Sequence, residues 1–193
     1  MKIHRAFTYL TAFGALLAVT SAASAQKAKG TGHFKVTSPD LESKGRIAVT
    51  HVFNGMGCTG QNISPTLQWS NAPAGTRSFA VTAYDPDAPT GSGWWHWVVY
   101  NIPASTTTLA AGAGNPNGRS LPSGAAQGNT DFGSRGYGGP CPPPGKPHHY
   151  HFTVFALKVD KLDVPNNATA AYIGFNLNAN KLATARVTGL YGR

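Results

Sequence analysis

The chain has 193 residues, of which 41% are hydrophobic and 12% are charged, and this length and composition fit one globular domain with its own core. It carries 16 Lys and Arg residues against 7 Asp and Glu residues, so its formal net charge is +9. Because the basic residues are scattered and form no dense cluster, the charge favours a small anionic partner and argues against nucleic-acid binding.

The first 25 residues have the layout of a secretory signal peptide. Lys2 and Arg5 supply a positive start, residues 6–20 are apolar, and Ala23-Ser24-Ala25 is an A-x-A cleavage site. The alternative is a membrane anchor, but the apolar run is short for a hydrocarbon core of roughly 30 Å. We therefore expect cleavage after Ala25, a periplasmic or secreted location, and no transmembrane segment in the mature chain.

The mature chain contains two cysteines, Cys58 and Cys141. In an oxidising compartment an even number of cysteines favours a disulfide, and two free thiols are the alternative. A bridge here closes a loop of roughly 80 residues, which the chain-entropy relation values at no more than about 4–5 kcal/mol. The two residues lie too far apart in the sequence to form a CxxC redox or zinc motif. We expect a structural disulfide.

Short runs of alternating apolar and polar residues, separated by many of the 23 Gly and 14 Pro residues, predict β-strands. These runs are residues 45–53, 77–84, 94–102 and 149–159. Residues 109–129 predict a long connection, and residues 167–185 have the spacing of a helix. The predicted fold class is mainly β, an antiparallel sandwich, with residues 26–33 as a loose tail and residues 34–193 as a single domain.

A rigid acidic turn, Asp85-Pro86-Asp87-Ala88-Pro89, directly follows the second predicted strand. Its two prolines fix the backbone and remove two N–H donors. One interpretation is that the turn presents two carboxylates at a strand end. The other is an Asx-turn, in which the aspartate side chain caps its own backbone, and the turn alone favours this second interpretation.

The strand predicted at residues 94–102 is dense in aromatic residues and holds a histidine. Since side chains alternate between the two faces of a strand, we expect Trp95 and Trp97 to share one face. Trp94 and His96 then share the other. A histidine among aromatic residues is ordinarily a core residue, but this one follows the acidic turn closely, and a hairpin would bring it near the first aspartate of that turn.

A third segment, residues 138–152, combines glycines, prolines and three histidines. Strand alternation places His148 and Tyr150 on the apolar face, toward the interior or a pocket. The same alternation places His149 and His151 on the outer face, where the two histidines of an H-x-H pair could coordinate a metal. A zinc site needs three or four ligands, so we expect no metal here.

The side chains in these segments that can bind a ligand or take part in chemistry are those of Asp85, His96, His148 and Tyr150. Together they suit an anion pocket. Imidazole and phenol groups donate hydrogen bonds to phosphate oxygens, and a protonated histidine adds positive charge. The glycine-rich loop at residues 136–139 would let backbone N–H groups approach the anion. The carboxylate would orient an imidazole or accept a hydrogen bond from the ligand.

These three segments resemble, in the same order, motifs of the phosphatidylethanolamine-binding protein family, which includes the Raf kinase inhibitor protein. The acidic turn, the strand Trp94 to Pro103 and the segment Gly139 to Tyr150 carry the likeness, which runs from about Phe34 to the C-terminus. Finer features resemble the bacterial subgroup typified by the YbhB and YbcL proteins. These features are Gly57-Cys58-Thr59-Gly60, Asn62-Ile63-Ser64-Pro65, Asp131-Phe132-Gly133, Gly139-Pro140-Cys141-Pro142-Pro143 and Leu190-Tyr191-Gly192-Arg193.

The resemblance implies a two-sheet antiparallel β fold with Greek-key connections and a few short peripheral helices. It also implies a small surface pocket for phosphate or phosphorylated headgroups. By matching motif position, the ligand-binding residues would be Asp85, Trp94, His96, Gly139, His148 and Tyr150. Two features depart from the family pattern: His149 replaces the usual arginine, and the C-terminal helix of the eukaryotic members is not predicted. We therefore expect no kinase-regulating role.

The leading hypothesis is an exported protein that binds a small anionic ligand without turnover and without a cofactor. The alternative is a regulatory or inhibitor protein that acts on a protease or another protein partner, and a homodimer is compatible with either. An enzyme is expected least. His96, His148 and Asp85 can act as general acid and base, but the chain has no G-x-S-x-G, H-E-x-x-H or P-loop motif.

Overall fold

The structure is a computed structural model that describes residues 32–41 and 45–193. The predicted signal peptide and most of the predicted tail at 26–33 lie outside the described residues. Within the described part of the chain there are ten strands and one α-helix, and that helix is not long and apolar enough to cross a membrane. In chain order they are β1 (Lys35–Thr37), β2 (Asn54–Gly55), β3 (Cys58–Thr59), β4 (Leu67–Ser70), β5 (Ser78–Asp85), β6 (Trp94–Pro103), β7 (Thr108–Leu109), β8 (Ala126–Gln127), β9 (His148–Leu157), α1 (Ala170–Asn180) and β10 (Lys181–Tyr191).

Two antiparallel sheets form the body of the fold, with a short hairpin in addition. The larger sheet has five strands in the order β10-β9-β5-β6-β8, the smaller has the order β1-β4-β7, and β2 pairs with β3. Neighbours that are far apart in the chain, such as β5 and β9, need the long return connections of a Greek-key arrangement. The predicted mainly β, antiparallel fold class is confirmed.

Buried side chains from the two larger sheets meet in one hydrophobic core. Trp69 on β4 packs against Phe79 on β5 with ring centroids 5.4 Å apart, and Trp97 and Phe152 belong to the same cluster. The other face of the five-stranded sheet is covered by α1, whose Ile173 is fully buried in a second cluster. Because both of its faces are covered, β5 is buried along almost its whole length.

Three of the four predicted strands are confirmed. Residues 77–84, 94–102 and 149–159 correspond to β5, β6 and β9, with ends that differ by two residues or fewer. The predicted long connection at 109–129 begins at the end of β7, and β8 is the one regular element described within it.

The prediction of a strand over residues 45–53 is wrong. Arg46 and Ile47 form only single-residue bridges, and Val49–His51 is a turn of 3-10 helix. The apolar alternation was misleading because Val49, unlike the buried Ile47, is 61% exposed. The turn buries His51, whose Nδ1 lies 2.7 Å from the carbonyl oxygen of Ile63, and this long-range hydrogen bond replaces strand pairing.

The prediction of a helix over residues 167–185 is correct only in its middle. The helix begins after Thr169, whose side chain accepts a hydrogen bond from the N–H of Tyr172 at 3.2 Å, as an N-cap does. It ends at Asn180, and Lys181 is already extended with φ −70° and ψ 140°. The following residues form β10, which pairs with β9 along its length. Pairing with β9 outweighs the helix propensity of the alanines in this segment.

Candidate functional site

One end of the five-stranded sheet holds a cleft. β5 ends there with Asp85, which faces Trp94 at the start of β6, and β9 begins there with His148, which faces Tyr191 on β10. The cleft has a volume of about 300 Å³ and receives side chains from the hairpin β2–β3, the acidic turn, β6, β9 and residues 141–144. Of the six residues predicted to bind a ligand, all except Gly139 line this cleft.

The acidic turn uses its two carboxylates differently. Asp85 is 3% exposed, and its two oxygens accept the N–H of Asp87 and the Nδ1–H of His148, each at 2.8 Å. Both interpretations of the turn therefore hold for Asp85, which caps the backbone and also orients an imidazole. Asp87 does not line the cleft and instead accepts the backbone N–H of His149 at 2.8 Å. This backbone hydrogen bond is the main cause that lowers the pKa of Asp87.

A β-bulge in β6 directs His96 into the cleft. Two consecutive residues of β5 pair with Trp97 and Trp95, so His96 is an extra residue on β6. The bulge interrupts the alternation, and the prediction that Trp95 and Trp97 share a face is wrong. Trp97 lies in the core between the sheets, whereas Trp95 packs against the cluster under α1. Trp94 and His96 both line the cleft.

His96 presents a lone pair to the cleft. It is 4% exposed, and its Nδ1 lies 2.6 Å from the carbonyl oxygen of Gly138. A carbonyl oxygen only accepts, so Nδ1 carries the hydrogen and Nε2 of the neutral ring is an acceptor. Burial lowers the pKa of His96 to about 4, against weaker opposing effects that include the Gly138 carbonyl and Asp85. The neutral ring therefore has its single N–H on Nδ1, and only the protonated ring could donate to an anion from Nε2.

Tyr150 contributes a hydroxyl donor to the cleft. It is 1% exposed, and its ring meets His96 edge to face with ring centroids 5.1 Å apart. Among the described residues, its hydroxyl oxygen has no hydrogen-bond partner. Burial is the main cause that raises its pKa, and the nearby Asp85 carboxylate adds to it through its charge and, more weakly, through its approach to the hydroxyl, so the phenol keeps its proton. A buried polar group ordinarily has a partner, so this hydroxyl is an exception among the residues of the cleft.

In the glycine-rich loop at residues 136–139, the amides of Gly138 and Gly139 donate within the protein and are not offered to the cleft as predicted. The N–H of Gly138 donates to the carbonyl oxygen of His96 at 2.9 Å. The N–H of Gly139 donates to Oδ1 of Asn62 at 2.7 Å. Gly139 also packs closely against the backbone before β2, and an added Cβ would lie 2.6 Å from the nitrogen of Phe53. The structure therefore gives Gly139 a packing role and does not bring it to the cleft.

Phe132 and Arg193 are among the residues that line the cleft without having been predicted as site residues. The ring of Phe132 forms a wall, with its centroid 5.5 Å from that of Trp94 and 5.4 Å from that of His96. Arg193 reaches the rim, and its Nε donates to the carbonyl oxygen of Pro142 at 2.6 Å. Both belong to motifs of the bacterial subgroup noted in the sequence, and that membership is the signal that could have identified them.

The predicted disulfide between Cys58 and Cys141 is confirmed, with a bond of 2.11 Å between the sulfur atoms. Cys58 lies on β3, so the bridge ties the hairpin β2–β3 to residues 140–144. Cys141 lines the cleft, and so does Met56 at the tip of the hairpin. The disulfide therefore holds two parts of the cleft rim together.

The outer histidines lie away from the cleft. Nδ1 of His149 lies 2.7 Å from Oδ2 of Asp87, so the histidine at the position of the family arginine joins the acidic turn to β9. Nδ1 of His151 lies 3.0 Å from Oγ1 of Thr188, and burial is the main cause that lowers its pKa. Within residues 32–41 and 45–193, no group of three His, Cys, Asp or Glu side chains is arranged to hold a metal.

Comparison with known proteins decides the family. The phosphatidylethanolamine-binding protein family model matches residues 37–192. The chain belongs to this family. It is similar to two UPF0098 proteins of Escherichia coli strain K12: YbcL is 57% identical, with 82% of this chain and 87% of YbcL covered, and YbhB is 51% identical, with 81% and 99% covered. The resemblance to the bacterial subgroup of the phosphatidylethanolamine-binding protein family is confirmed.

Solved structures of this family share the fold. The crystal structure of E. coli YbcL matches with a TM-score of 0.81 and 55% identity, covering 84% of this chain and 99% of that one. A family homolog from Chlamydia trachomatis matches with a TM-score of 0.69 and 29% identity, covering 83% and 97%. A more distant relative, the lipoprotein-named LppC of Mycobacterium tuberculosis, is 36% identical over 69% of this chain and 62% of its own length.

Proposed function

We propose that this protein binds a small anionic ligand, phosphate or a phosphorylated headgroup, in the cleft at the end of the five-stranded sheet, and that it does not turn the ligand over. The observation that carries the proposal is the hydroxyl of Tyr150, which is buried in the cleft and has no partner among the described residues. A phenol hydroxyl that keeps its proton is a good donor to a phosphate oxygen.

The charge and shape of the cleft support an anionic ligand. Arg193 brings a guanidinium to the rim, and the net charge of +9, or +7 without Lys2 and Arg5 of the predicted signal peptide, favours the approach of anions. Asp85 also lines the cleft, but both of its oxygens already accept hydrogen bonds from protein groups. The walls include the rings of Trp94 and Pro142, which suit the carbon atoms of an attached headgroup.

The same residues support binding without catalysis. Cys141 lines the cleft, but its sulfur is bonded to Cys58 and is not a nucleophile. His96 has a pKa lowered to about 4 by burial, which makes it a weak general base at neutral pH.

We also propose that the protein is exported. The layout of residues 1–25, the disulfide, which is typical of oxidising compartments, and the lipoprotein name of one relative support this. N-terminal sequencing of the protein from a periplasmic fraction is expected to begin at Gln26. Recovery of the chain only in the cytoplasm, with Met1 retained, would reject export.

An NMR titration with phosphate and phosphoethanolamine tests ligand binding. We expect saturable shifts of the side-chain resonances of His96, His148 and Tyr150. His33 and His151 lie outside the cleft and serve as internal controls that should not move. If no resonance shifts at millimolar ligand, anion binding is rejected, and the alternative of a regulatory protein with a protein partner is favoured.

A further inference from the structure

Two polar groups that line the cleft form an adjacent hydrogen-bond donor and acceptor. The donor is the hydroxyl of Tyr150. The acceptor is Nε2 of His96, because its Nδ1 donates to the carbonyl oxygen of Gly138 at 2.6 Å. The rings of His96 and Tyr150 are in contact, with centroids 5.1 Å apart, and both residues line the cleft. A group that satisfies both must accept one hydrogen bond and donate another.

We propose, resting on the function proposed above, that the cleft selects phosphate monoesters in their singly protonated form. The P–OH group donates to Nε2 of His96, while Tyr150 donates to another oxygen of the same phosphate. A phosphodiester, including that of an intact phospholipid, has no P–OH and would set an oxygen lone pair against the lone pair of His96. Free headgroups and other monoesters are therefore preferred over intact lipids.

The surroundings of His96 keep it in the acceptor role. It is 4% exposed, and its ring packs edge to face against Phe132 with centroids 5.4 Å apart. The charged and titratable groups around it come from β5, β9, the loop after β8 and the C-terminal residue. They are Asp85, His148, Tyr150, Asp131 and Arg193. Burial outweighs both carboxylates and lowers the pKa of His96, so at neutral pH the ring of the ligand-free protein is neutral.

Two methyl esters of phosphate allow the effect of the P–OH group on affinity to be measured separately from the effect of charge. At about pH 5 methyl phosphate and dimethyl phosphate are both monoanions, since the second pKa of a phosphate monoester is about 6. Only methyl phosphate carries a P–OH. In isothermal titration calorimetry on the wild-type protein, we expect methyl phosphate to bind at least about tenfold more tightly. Its affinity should then fall by up to about tenfold per pH unit above about pH 6, as the ligand loses its proton.

A pair of variants assigns the selection to His96. His96→Phe removes the acceptor and should bring the affinities of the two esters together. His151→Gln changes a histidine outside the cleft and should keep the wild-type preference for methyl phosphate. If His96→Phe does not fold, the comparison of the two esters on the wild-type protein still decides the matter.

The possible outcomes distinguish this selection from the proposed function. Equal affinities of the wild-type protein for the two esters, or an affinity for methyl phosphate that does not change between about pH 5 and pH 8, would overturn the selection and leave anion binding intact. Failure of both esters to bind at any pH would overturn the proposed function together with the selection.

Discussion

Two buried tyrosines, Tyr137 and Tyr150, differ in whether the side-chain hydroxyl has a hydrogen-bond partner. The hydroxyl of Tyr137 donates to the carbonyl oxygen of His51 at 3.0 Å, whereas the hydroxyl of Tyr150 has no partner among the described residues. Tyr137→Phe should lower the free energy of unfolding by about 1 kcal/mol, because it leaves a buried carbonyl oxygen without its donor. Tyr150→Phe should leave stability almost unchanged and weaken phosphate binding. Urea unfolding and phosphate titration of both variants measure this, and an equal loss of stability in the two would contradict it.

The buried His96 also makes the stability of the protein depend on pH. Burial lowers its pKa from 6.5 to about 4 in the folded state, so the unfolded chain binds more protons between these values. Acid therefore favours unfolding, and the contribution of the neutral ring is fully present above about pH 6.5 and lost as the pH falls toward 4. The shift corresponds to about 3 kcal/mol. We expect urea unfolding of the wild-type protein to show a decrease of this order between about pH 6.5 and pH 4.

Two histidine substitutions, a test variant and a control, check this prediction. His96→Phe should flatten the dependence of stability on pH over that window, if it folds. His33→Gln removes an exposed histidine and should retain the wild-type dependence. A wild-type protein that is equally stable at both ends of the window would show that His96 is not kept neutral by burial.

At the scale of elements, the turn between β5 and β6 controls the position of Asp85. Gly93 has φ +68°, and an added Cβ would lie 2.6 Å from the carbonyl oxygen of Asp85. Gly91, in the same turn, has no atom within 4 Å of an added Cβ. We expect Gly93→Ala to lower the free energy of unfolding by about 2 kcal/mol and to weaken phosphate binding. Gly91→Ala should stay within about 0.5 kcal/mol of wild type in the same denaturation assay.

The helix and strand at the end of the chain show how neighbouring elements decide a conformation. Residues 181–185 look helical by alanine spacing, yet they belong to β10, whose partner strand is β9. β10 lies at the edge of the five-stranded sheet, and β9 is its one partner strand among the described residues. The spacing of residues within 181–185 does not reveal that β10 pairs with β9, because a loop and the helix α1 separate the two strands in the sequence.

At the scale of the whole molecule, the disulfide joins cysteines 83 residues apart and closes the cleft rim. The chain-entropy relation gives such a bridge no more than about 4–5 kcal/mol. Replacing Cys58 and Cys141 together by alanine should lower the free energy of unfolding by about 3–4 kcal/mol. It should also weaken phosphate binding, because the hairpin tip with Met56 is released from residues 140–144. Thermal unfolding and titration check both effects, and unchanged affinity in the folded variant would exclude the hairpin from the site.

The sequence by itself determined the strands β5, β6 and β9, the disulfide pair and the family. Strand alternation and Gly and Pro turns are local patterns, so these strands can be located without a structure. Motif order was sufficient to indicate Asp85, His96, His148 and Tyr150, all of which the structure places in one cleft. Two cysteines allow a single intramolecular pairing.

Only the tertiary structure decided which of these groups donate and which accept. The acceptor role of His96 depends on the carbonyl of Gly138, 42 residues away, and on a bulge that breaks the alternation of β6. The packing role of Gly139 depends on Asn62, 77 residues away, and the rim position of Arg193 depends on Pro142, 51 residues away. Hydrogen bonds and close packing join residues that are distant in the sequence, and local patterns of residue type do not encode such contacts.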